Sequence, residues 1–214
     1  MSSARRRQLL EHAARHDAVI IEDDYDSESN FTLNPLPALK ASDRSGRVVY
    51  VSSLSKALSP GLRLGFMVAD PDLIDAARAL RRLVYRHPPT NIQYQMAHFL
   101  AQGHYETHLR RYHYDSAQRW ERLHAALQRY LPSCRALAGS EHANAFWLQT
   151  PAQINTQQLT WRAAHAGVLI EPGARHFLSA APPDNYFRMG FHALNPDAIA
   201  QGVEGLRGQL EQMG

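Results

Sequence analysis

The chain has 214 residues, enough for one domain or two small ones with a hydrophobic core. Its 44% apolar and 20% charged residues are typical of a globular protein, and a net charge of +3 does not by itself predict nucleic-acid binding. The single cysteine excludes a disulfide framework within the chain, and the sequence has neither a secretory-type apolar start nor a run of the roughly 20 apolar residues that span a membrane. We therefore expect a cytoplasmic protein without membrane contact.

The first third alternates helix-like and strand-like patterns, which predicts a parallel sheet with helices. Apolar spacing of three and four predicts a helix over residues 3–16, capped by Ser2 or Ser3. Apolar runs predict strands at 18–21, 48–51 and 64–68. The acidic cluster 22–26 follows the first strand, at the edge of an α/β sheet where ligand sites concentrate.

The remaining patterns divide into a helical middle and a mixed last third. Helices are predicted at 71–84, 91–102 and 105–130, and a domain transition within the last of these. Strands at 145–148, 167–173 and 185–191 alternate with helices at 157–166, capped by Thr156, and at 197–213. We predict a large-domain part at 1–120 and a small α+β domain at 121–214.

Lys56 stands between two strand-like runs and is flanked by small residues. Such surroundings would hold its amine partly desolvated, and desolvation favours the nucleophilic form of a lysine. A pyridoxal phosphate site requires such an amine, together with a carboxylate that keeps the pyridine nitrogen protonated. Asp23 or Asp24 could supply the carboxylate, and Tyr25 could form a hydrogen bond with the phenolic oxygen of the ring.

The phosphate of such a cofactor needs cationic and hydroxyl donors, which Arg63, Ser53 and Ser55 could supply. Other interpretations remain open. A lysine at a strand end is usually solvent-exposed, and an acidic cluster can form a turn or a divalent metal site. His104 and His108 have the i, i+4 spacing of zinc ligands, but no further ligand is placed to complete a set.

Three stretches closely resemble the aminotransferase-like domain of MocR-type regulators, which belong to the GntR superfamily of bacterial transcription factors. They read IIEDDYDSE, PLPALKASDRSGRVVYVSSLSKALSPGLRLGF and RHPPTN. The resemblance extends through nearly the whole chain. It implies the fold-type I architecture of aminotransferases, which is an α/β large domain with a mainly parallel sheet followed by a small α+β C-terminal domain. It also implies pyridoxal 5′-phosphate as the cofactor.

The resemblance implies roles for individual residues at the ring of the cofactor. Lys56 is similar to the lysine that forms a Schiff base with the cofactor in this family. Asp23 resembles the residue that pairs with the pyridine nitrogen, and Tyr25 resembles the one that contacts the ring oxygen.

The resemblance likewise implies roles at the phosphate and at the ligand. Arg63 resembles the phosphate-binding arginine of the family, and Ser53 and Ser55 lie in the same phosphate-facing stretch. Arg188, in NYFRMGF, resembles the arginine that binds a substrate carboxylate from the small domain. The alternative interpretation of Arg188 is a surface strand arginine in an ion pair.

The family pattern has parts that this sequence lacks. They are a winged-helix DNA-binding domain, a linker and the first half of the aminotransferase-like domain. We therefore expect a truncated gene product, a mispredicted start or a fragment, and no direct DNA contact from this chain. The loss would turn an interior strand into an exposed apolar edge, which favours aggregation. For the full-length form the resemblance implies a homodimer.

Our interpretation is a pyridoxal-phosphate-binding domain of a regulator, in which a small amino acid or amine ligand shifts a conformational equilibrium. One alternative is a free-standing aminotransferase that converts an amino acid to a 2-oxo acid, with Lys56 as the proton shuttle. The other is a remnant that binds nothing. The sequence names neither the ligand nor a DNA target.

Overall fold

The protein is described here from a computed structural model, which covers residues 1–24, 28, 31, 36–137 and 145–213. Contacts divide the chain into a first unit that ends at Tyr112 and a second unit that begins at His113 and includes Phe31. Each unit is described by itself. The predicted domain boundary after residue 120 stays a prediction, because a unit defined by its internal contacts is not necessarily a domain that folds independently.

The first unit contains a three-stranded sheet and helices. Its elements are α1 (Ser3–Arg15), β1 (Ile20–Asp23), β2 (Val48–Ser53), β3 (Gly65–Val68), α2 (Pro71–Tyr85), α3 (Thr90–Ala101) and the first part of α4 (His104–Tyr130). The second unit contains the rest of α4, β4 (Arg135–Ala136), β5 (Ala145–Gln149), α5 (Thr156–His165), β6 (Glu171–Pro172), β7 (Tyr186–Gly190) and α6 (Ile199–Glu211).

The predicted helices are confirmed to within a residue or two at most ends. Ser2 caps α1, since its hydroxyl accepts the Arg5 N–H at 3.4 Å. The predicted cap of α5 is wrong. Asn155 accepts the Gln158 N–H at 3.0 Å, whereas the Thr156 hydroxyl donates to the carbonyls that flank the start of β7.

The first sheet has the strand order β1-β2-β3. The expected parallel pairing is confirmed for β1 and β2, whereas β2 and β3 pair antiparallel. The connection from β2 to β3 spans only residues 54–64, too few for the crossover helix that a parallel return needs. Strand β1 lies two residues later than predicted because its pairing begins at Ile20, whose N–H donates to the Arg47 carbonyl at 2.9 Å.

The second sheet is antiparallel with the strand order β4-β5-β7-β6. One face packs against helices and forms a core that includes Phe146, Phe187, Leu123, Leu159 and Leu206. The alternate residues of β5 and β7 lie on the opposite, half-buried face. This unit therefore holds its strands on a core of its own.

The first unit buries fewer large side chains than the second. Its buried apolar residues include Leu39, Val48, Leu54 and Met96, while Ile21 is 72% exposed and α2 has no buried residue at all. Sheet edges and helix faces of this kind favour association with other apolar surfaces. None of the helices in the described ranges has the length and apolar character that crossing a bilayer requires.

The contrast between buried and exposed leucines predicts unequal effects of truncation to alanine. Leu206 is fully buried, so Leu206→Ala should lower the free energy of unfolding by about 2–5 kcal/mol. Leu83 is 84% exposed, so Leu83→Ala should change it by no more than about 0.5 kcal/mol. Urea unfolding followed by circular dichroism measures both. Equal losses would show that the face of α2 is covered in solution.

Candidate functional site

The candidate site lies at the carboxyl end of the parallel pair β1 and β2. The Asp24 N–H donates to the Val51 carbonyl at 2.9 Å, so Asp23 and Asp24 at the end of β1 lie beside the last residues of β2. The loop 54–64, which carries Lys56, leaves from this same edge. It is closed by a bond from the Leu54 N–H to the Leu64 carbonyl at 3.0 Å. Leu54 and Ala57 are buried and anchor the loop.

The register separates the two candidate carboxylates. Asp23 pairs with Val51, so its side chain lies on the same face of the sheet as Ser53, and it is exposed. Asp24 is engaged on the other face. Its carboxylate accepts from the Tyr50 hydroxyl at 3.0 Å, and its carbonyl accepts from the Ser52 hydroxyl at 2.9 Å. The structure thus leaves Asp23 as the more accessible of the two.

Glu22, the first member of the acidic cluster, has a structural role. Its carboxylate accepts the N–H groups of Leu39 and Lys40, at 2.5 and 2.8 Å, and so caps the 3₁₀ turn Leu39–Ser42. Within the described ranges, no three histidine, cysteine or acidic side chains come close enough to hold a metal ion. The described members of the cluster therefore offer no metal site.

Lys56 is exposed in the turn that follows β2. The sequence predicts that the surroundings of Lys56 desolvate its amine, and as far as the described residues extend this prediction is wrong. The loop buries Leu54 and Ala57, whereas Lys56 lies on the surface. Arg63 is also exposed. It has φ 47° and ψ 39°, a left-handed conformation that is uncommon for a residue with a side chain. Such strained positions concentrate at functional sites.

The remaining predicted cofactor residues are hydroxyl-bearing. The Ser53 hydroxyl accepts the Ser55 N–H at 3.2 Å, a bond that leaves its own proton for another acceptor. Both serines are half-buried. Tyr25 lies outside the described residues, so its predicted contact with the ring oxygen stays a prediction.

Sequence reasoning missed His108, which supports the lysine loop from α4. Its Nε2 lies 2.6 Å from the carbonyl of Ala57, the residue after Lys56. A carbonyl can only accept, so Nε2 carries the proton, and the neutral and the charged imidazole can both donate it. No local signal could have revealed this bond, since the two residues are 51 positions apart. The i, i+4 spacing of His104 and His108 resembles a metal face in the sequence, but no further ligand completes it.

Asp43 fixes the entry to β2. Its carboxylate accepts the Val48 N–H at 2.8 Å and the Ser45 N–H at 3.0 Å, and it pairs with Lys40 at 3.3 Å. Burial alone would raise the pKa of Asp43, but the bonds to Val48, Ser45 and Lys40 lower it to about 2. The stability that these bonds contribute is therefore fully present above pH 3.8, the ordinary pKa of the carboxyl. It is lost as the pH falls through the lowered pKa of about 2, where Asp43 takes up a proton.

Arg188 lies in the second unit, on the half-buried face of the second sheet. In the strand register it stands between Trp147 on β5 and Glu171 on β6. Its guanidinium pairs with Glu171 at 3.2 Å. The ion pair that the sequence left open is therefore present, and the predicted carboxylate-binding role stays a prediction.

A family model for aminotransferase class I and II matches residues 2–206. The chain belongs to this aminotransferase family. The fold-type I architecture expected from the sequence is confirmed by the crystal structure of a multiple substrate aminotransferase from Thermococcus profundus. It superposes with a TM-score of 0.88 at 28% identity, covering 100% of this chain and 53% of that one.

Two regulators are among the relatives of this aminotransferase-family chain. The HTH-type transcriptional regulator TauR of Rhodobacter capsulatus is 40% identical over 93% of this chain. The protein described as "Probable rhizopine catabolism regulatory protein MocR" of Rhizobium meliloti is 34% identical over 94% of it. These matches confirm the resemblance to MocR-type regulators. The chain spans about two fifths of the length of each regulator, at 41%.

The donor set of this aminotransferase-family chain fits pyridoxal phosphate, the cofactor that the family implies. One sheet edge presents a carboxylate at Asp23 and an amine at Lys56, with a guanidinium at Arg63 in the same loop. The whole sequence has only two lysines, and the other, Lys40, is paired with Asp43. The charges and donors match a pyridinium nitrogen, an aldehyde and a phosphate.

The bond from His108 predicts a measurable change in the accessibility of the lysine loop. Trypsin cuts after Lys56, and loss of one partly buried hydrogen bond of about 1 kcal/mol should speed cleavage there roughly fivefold in His108→Ala. His108→Gln should restore part of the protection, because its amide N–H can donate to the Ala57 carbonyl. His104→Ala, on an exposed position of the same helix, is the control. Equal cleavage rates in all three variants would remove the positioning role of His108.

Proposed function

We propose that this chain is the cofactor-binding part of a MocR-type regulator, which binds pyridoxal phosphate through Lys56 and responds to a small amino acid or amine. The observation that carries the proposal is the parallel register of β1 and β2. It brings Asp23 and Ser53 to one face of the sheet, at the edge from which the Lys56 loop leaves. Ligand sites in α/β sheets concentrate at this edge.

Each group of the cofactor has a candidate partner. Asp23 would hold the pyridine nitrogen in its protonated form, and Arg63 would neutralise the phosphate with help from Ser53 and Ser55. Lys56 would bind the aldehyde carbon through its amine. When bound, pyridoxal phosphate supplies an electron-accepting ring on which an amino group can be exchanged. Tyr25 completes the proposed set at the ring oxygen.

The scaffold around these residues accounts for how they would be oriented. Asp24, held by Tyr50 and Ser52, fixes the end of β1 from the opposite face, so the Asp23 carboxylate is directed away from it. His108 fixes the backbone directly after Lys56. The described side chains that would touch the cofactor, namely Asp23, Ser53, Ser55, Lys56 and Arg63, are thus exposed or half-buried, while their supports form internal hydrogen bonds.

An aminotransferase is the second candidate function, because enzymes are also among the relatives. Aromatic-amino-acid aminotransferase 1 of Thermococcus litoralis is 26% identical over 99% of this chain. The higher identity to TauR and MocR supports the regulator as the first candidate. In either case the proposal includes a homodimer for the full-length form, an intracellular location and no direct DNA contact from the residues present here.

The lysine composition permits a direct test of cofactor attachment. Pyridoxal phosphate added to the chain should produce an absorbance band near the visible edge, and borohydride reduction should fix the cofactor to Lys56. Lys56→Ala should abolish the band, whereas Lys40→Ala should retain it. Peptide mapping after reduction identifies the modified residue. Labelling of Lys40 or of the N-terminus alone, or no band under any condition, would sink the proposal.

Because Asp23 and Asp24 lie on opposite faces of the sheet, we expect the same substitution at these two positions to affect cofactor affinity differently. Asp23→Asn should weaken cofactor binding by about tenfold or more, since a charge-assisted hydrogen bond to the ring nitrogen is lost. Asp24→Asn keeps an oxygen that Tyr50 can donate to, so cofactor affinity should stay within about twofold. Absorbance titration measures both. A larger loss in Asp24→Asn would reverse the assignment.

Release of a 2-oxo acid distinguishes the enzyme from the regulator. The cofactor-loaded chain is incubated with a panel of amino acids, and any 2-oxo acid is quantified by mass spectrometry. Spectral change without 2-oxo acid release favours a sensor. Stoichiometric release from one amino acid, lost in Lys56→Ala, would replace the regulator with the aminotransferase.

A further inference from the structure

Glu171 lies against two arginines and one histidine, and each of its two oxygens contacts different partners. Oε1 lies 3.6 Å from Arg175 and 3.4 Å from His176, whereas Oε2 lies 3.2 Å from Arg188. Arg175 and His176 belong to the 3₁₀ turn Gly173–His176, which directly follows β6. A single carboxylate thus links this turn to β7.

Tight packing holds the turn against the sheet. A side chain at Gly173 would lie 2.7 Å from Cβ of Tyr186 and 2.8 Å from the ring of Trp147. Only glycine permits this close approach. The approach brings His176 against Trp147, with ring centroids 5.3 Å apart. The position of His176 at Oε1 is therefore supported by the fold independently of Arg188.

The surroundings of Arg188 are those of a binding surface rather than a core. Its side chain is 40% exposed and that of Glu171 is 33% exposed. Trp147 and Tyr186 lie on the same face and stack at 6.0 Å between ring centroids. The face thus combines one accessible guanidinium with an aromatic wall. This combination suits a carboxylate that carries an apolar group.

We propose that Glu171 is a specificity-determining residue that competes with the carboxylate of a ligand for Arg188. The inference rests on the proposed function and on the carboxylate-binding role predicted for Arg188, and it identifies the residue that limits this binding. A ligand must displace Oε2 of Glu171 before its own carboxylate can bind the guanidinium. Arg188 therefore discriminates against ligands that offer only a weakly binding carboxylate. Binding requires additional contacts, such as those to the aromatic rings of Trp147 and Tyr186.

The arrangement permits this exchange without leaving a charge unpaired. When Arg188 turns to a ligand, Oε1 of Glu171 keeps both Arg175 and His176. A partly exposed ion pair is weak, so the competition should be modest. We expect removal of the Glu171 charge to strengthen carboxylate binding about three- to fivefold.

The test measures the binding of 3-phenylpropanoate to the whole chain by isothermal titration calorimetry, without pyridoxal phosphate. Its neutral analogue 3-phenylpropanamide has the same ring and no charge. Glu171→Gln should bind the carboxylate about three- to fivefold more tightly than the unaltered chain and bind the amide with the same affinity. Glu171→Ala serves as a second variant, because glutamine can still accept a bond from Arg188. Glu204→Gln, an exposed glutamate on α6, is the matched control and should change nothing.

Arg188→Gln should remove carboxylate binding both from the unaltered chain and from the Glu171→Gln variant. Unchanged or weaker carboxylate affinity in both Glu171 variants would overturn the proposal. Equal tightening for the amide would also overturn it, since the effect would then be steric. Absence of measurable binding in Glu171→Gln would overturn it as well. Because no cofactor is present, these outcomes are independent of the absorbance test at Lys56, which alone decides cofactor attachment.

Discussion

The pairing of β1 with β2 is the constraint on which the candidate site depends. Successive side chains of a strand lie on opposite faces, so a slip of one residue would exchange the positions of Asp23 and Asp24. The register is fixed by the Asp24 N–H bond to Val51 and by the two bonds that Asp24 receives from Tyr50 and Ser52. These bonds occupy Asp24 and leave Asp23 accessible.

The same alternation explains why three consecutive acidic residues have different roles. Glu22 and Asp24 accept hydrogen bonds from the surrounding scaffold, while Asp23, between them, is exposed on the face that carries Ser53. Acidic side chains that accept internal hydrogen bonds stabilise the strand end without a metal ion. The described members of the cluster thus form a hydrogen-bonded support around the exposed carboxylate of Asp23 rather than a ligand shell.

The sequence predicted the elements well because their signals are local. Apolar periodicity located α1 to α4, and the small residues around Lys56 marked the loop between two strands. The features that it did not predict depend on pairs distant along the chain. The residue chemistry alone left Asp23 and Asp24 as alternatives, and only the family resemblance favoured Asp23. The His108 bond to Ala57 has no signature within a short window, because it requires the packing of a helix. The exposure of Lys56 likewise depends on which neighbours the loop buries.

The backbone conformation of Arg63, in the loop that carries Lys56, is relevant to the role of this arginine. Arg63 has a positive φ of 47°, a conformation that costs a residue with a side chain about 1–2 kcal/mol relative to glycine. A glycine stands two residues later, but for another reason. A side chain at Gly65 would lie 2.8 Å from the Ser52 carbonyl, so close approach of β2 and β3 requires glycine there. Strand β3 therefore begins with glycine where packing demands it, whereas the loop has an exposed arginine where the backbone would favour glycine. Burial does not compensate for the strain at this exposed residue, so the strain adds support to the proposed anion-binding role of the Arg63 guanidinium.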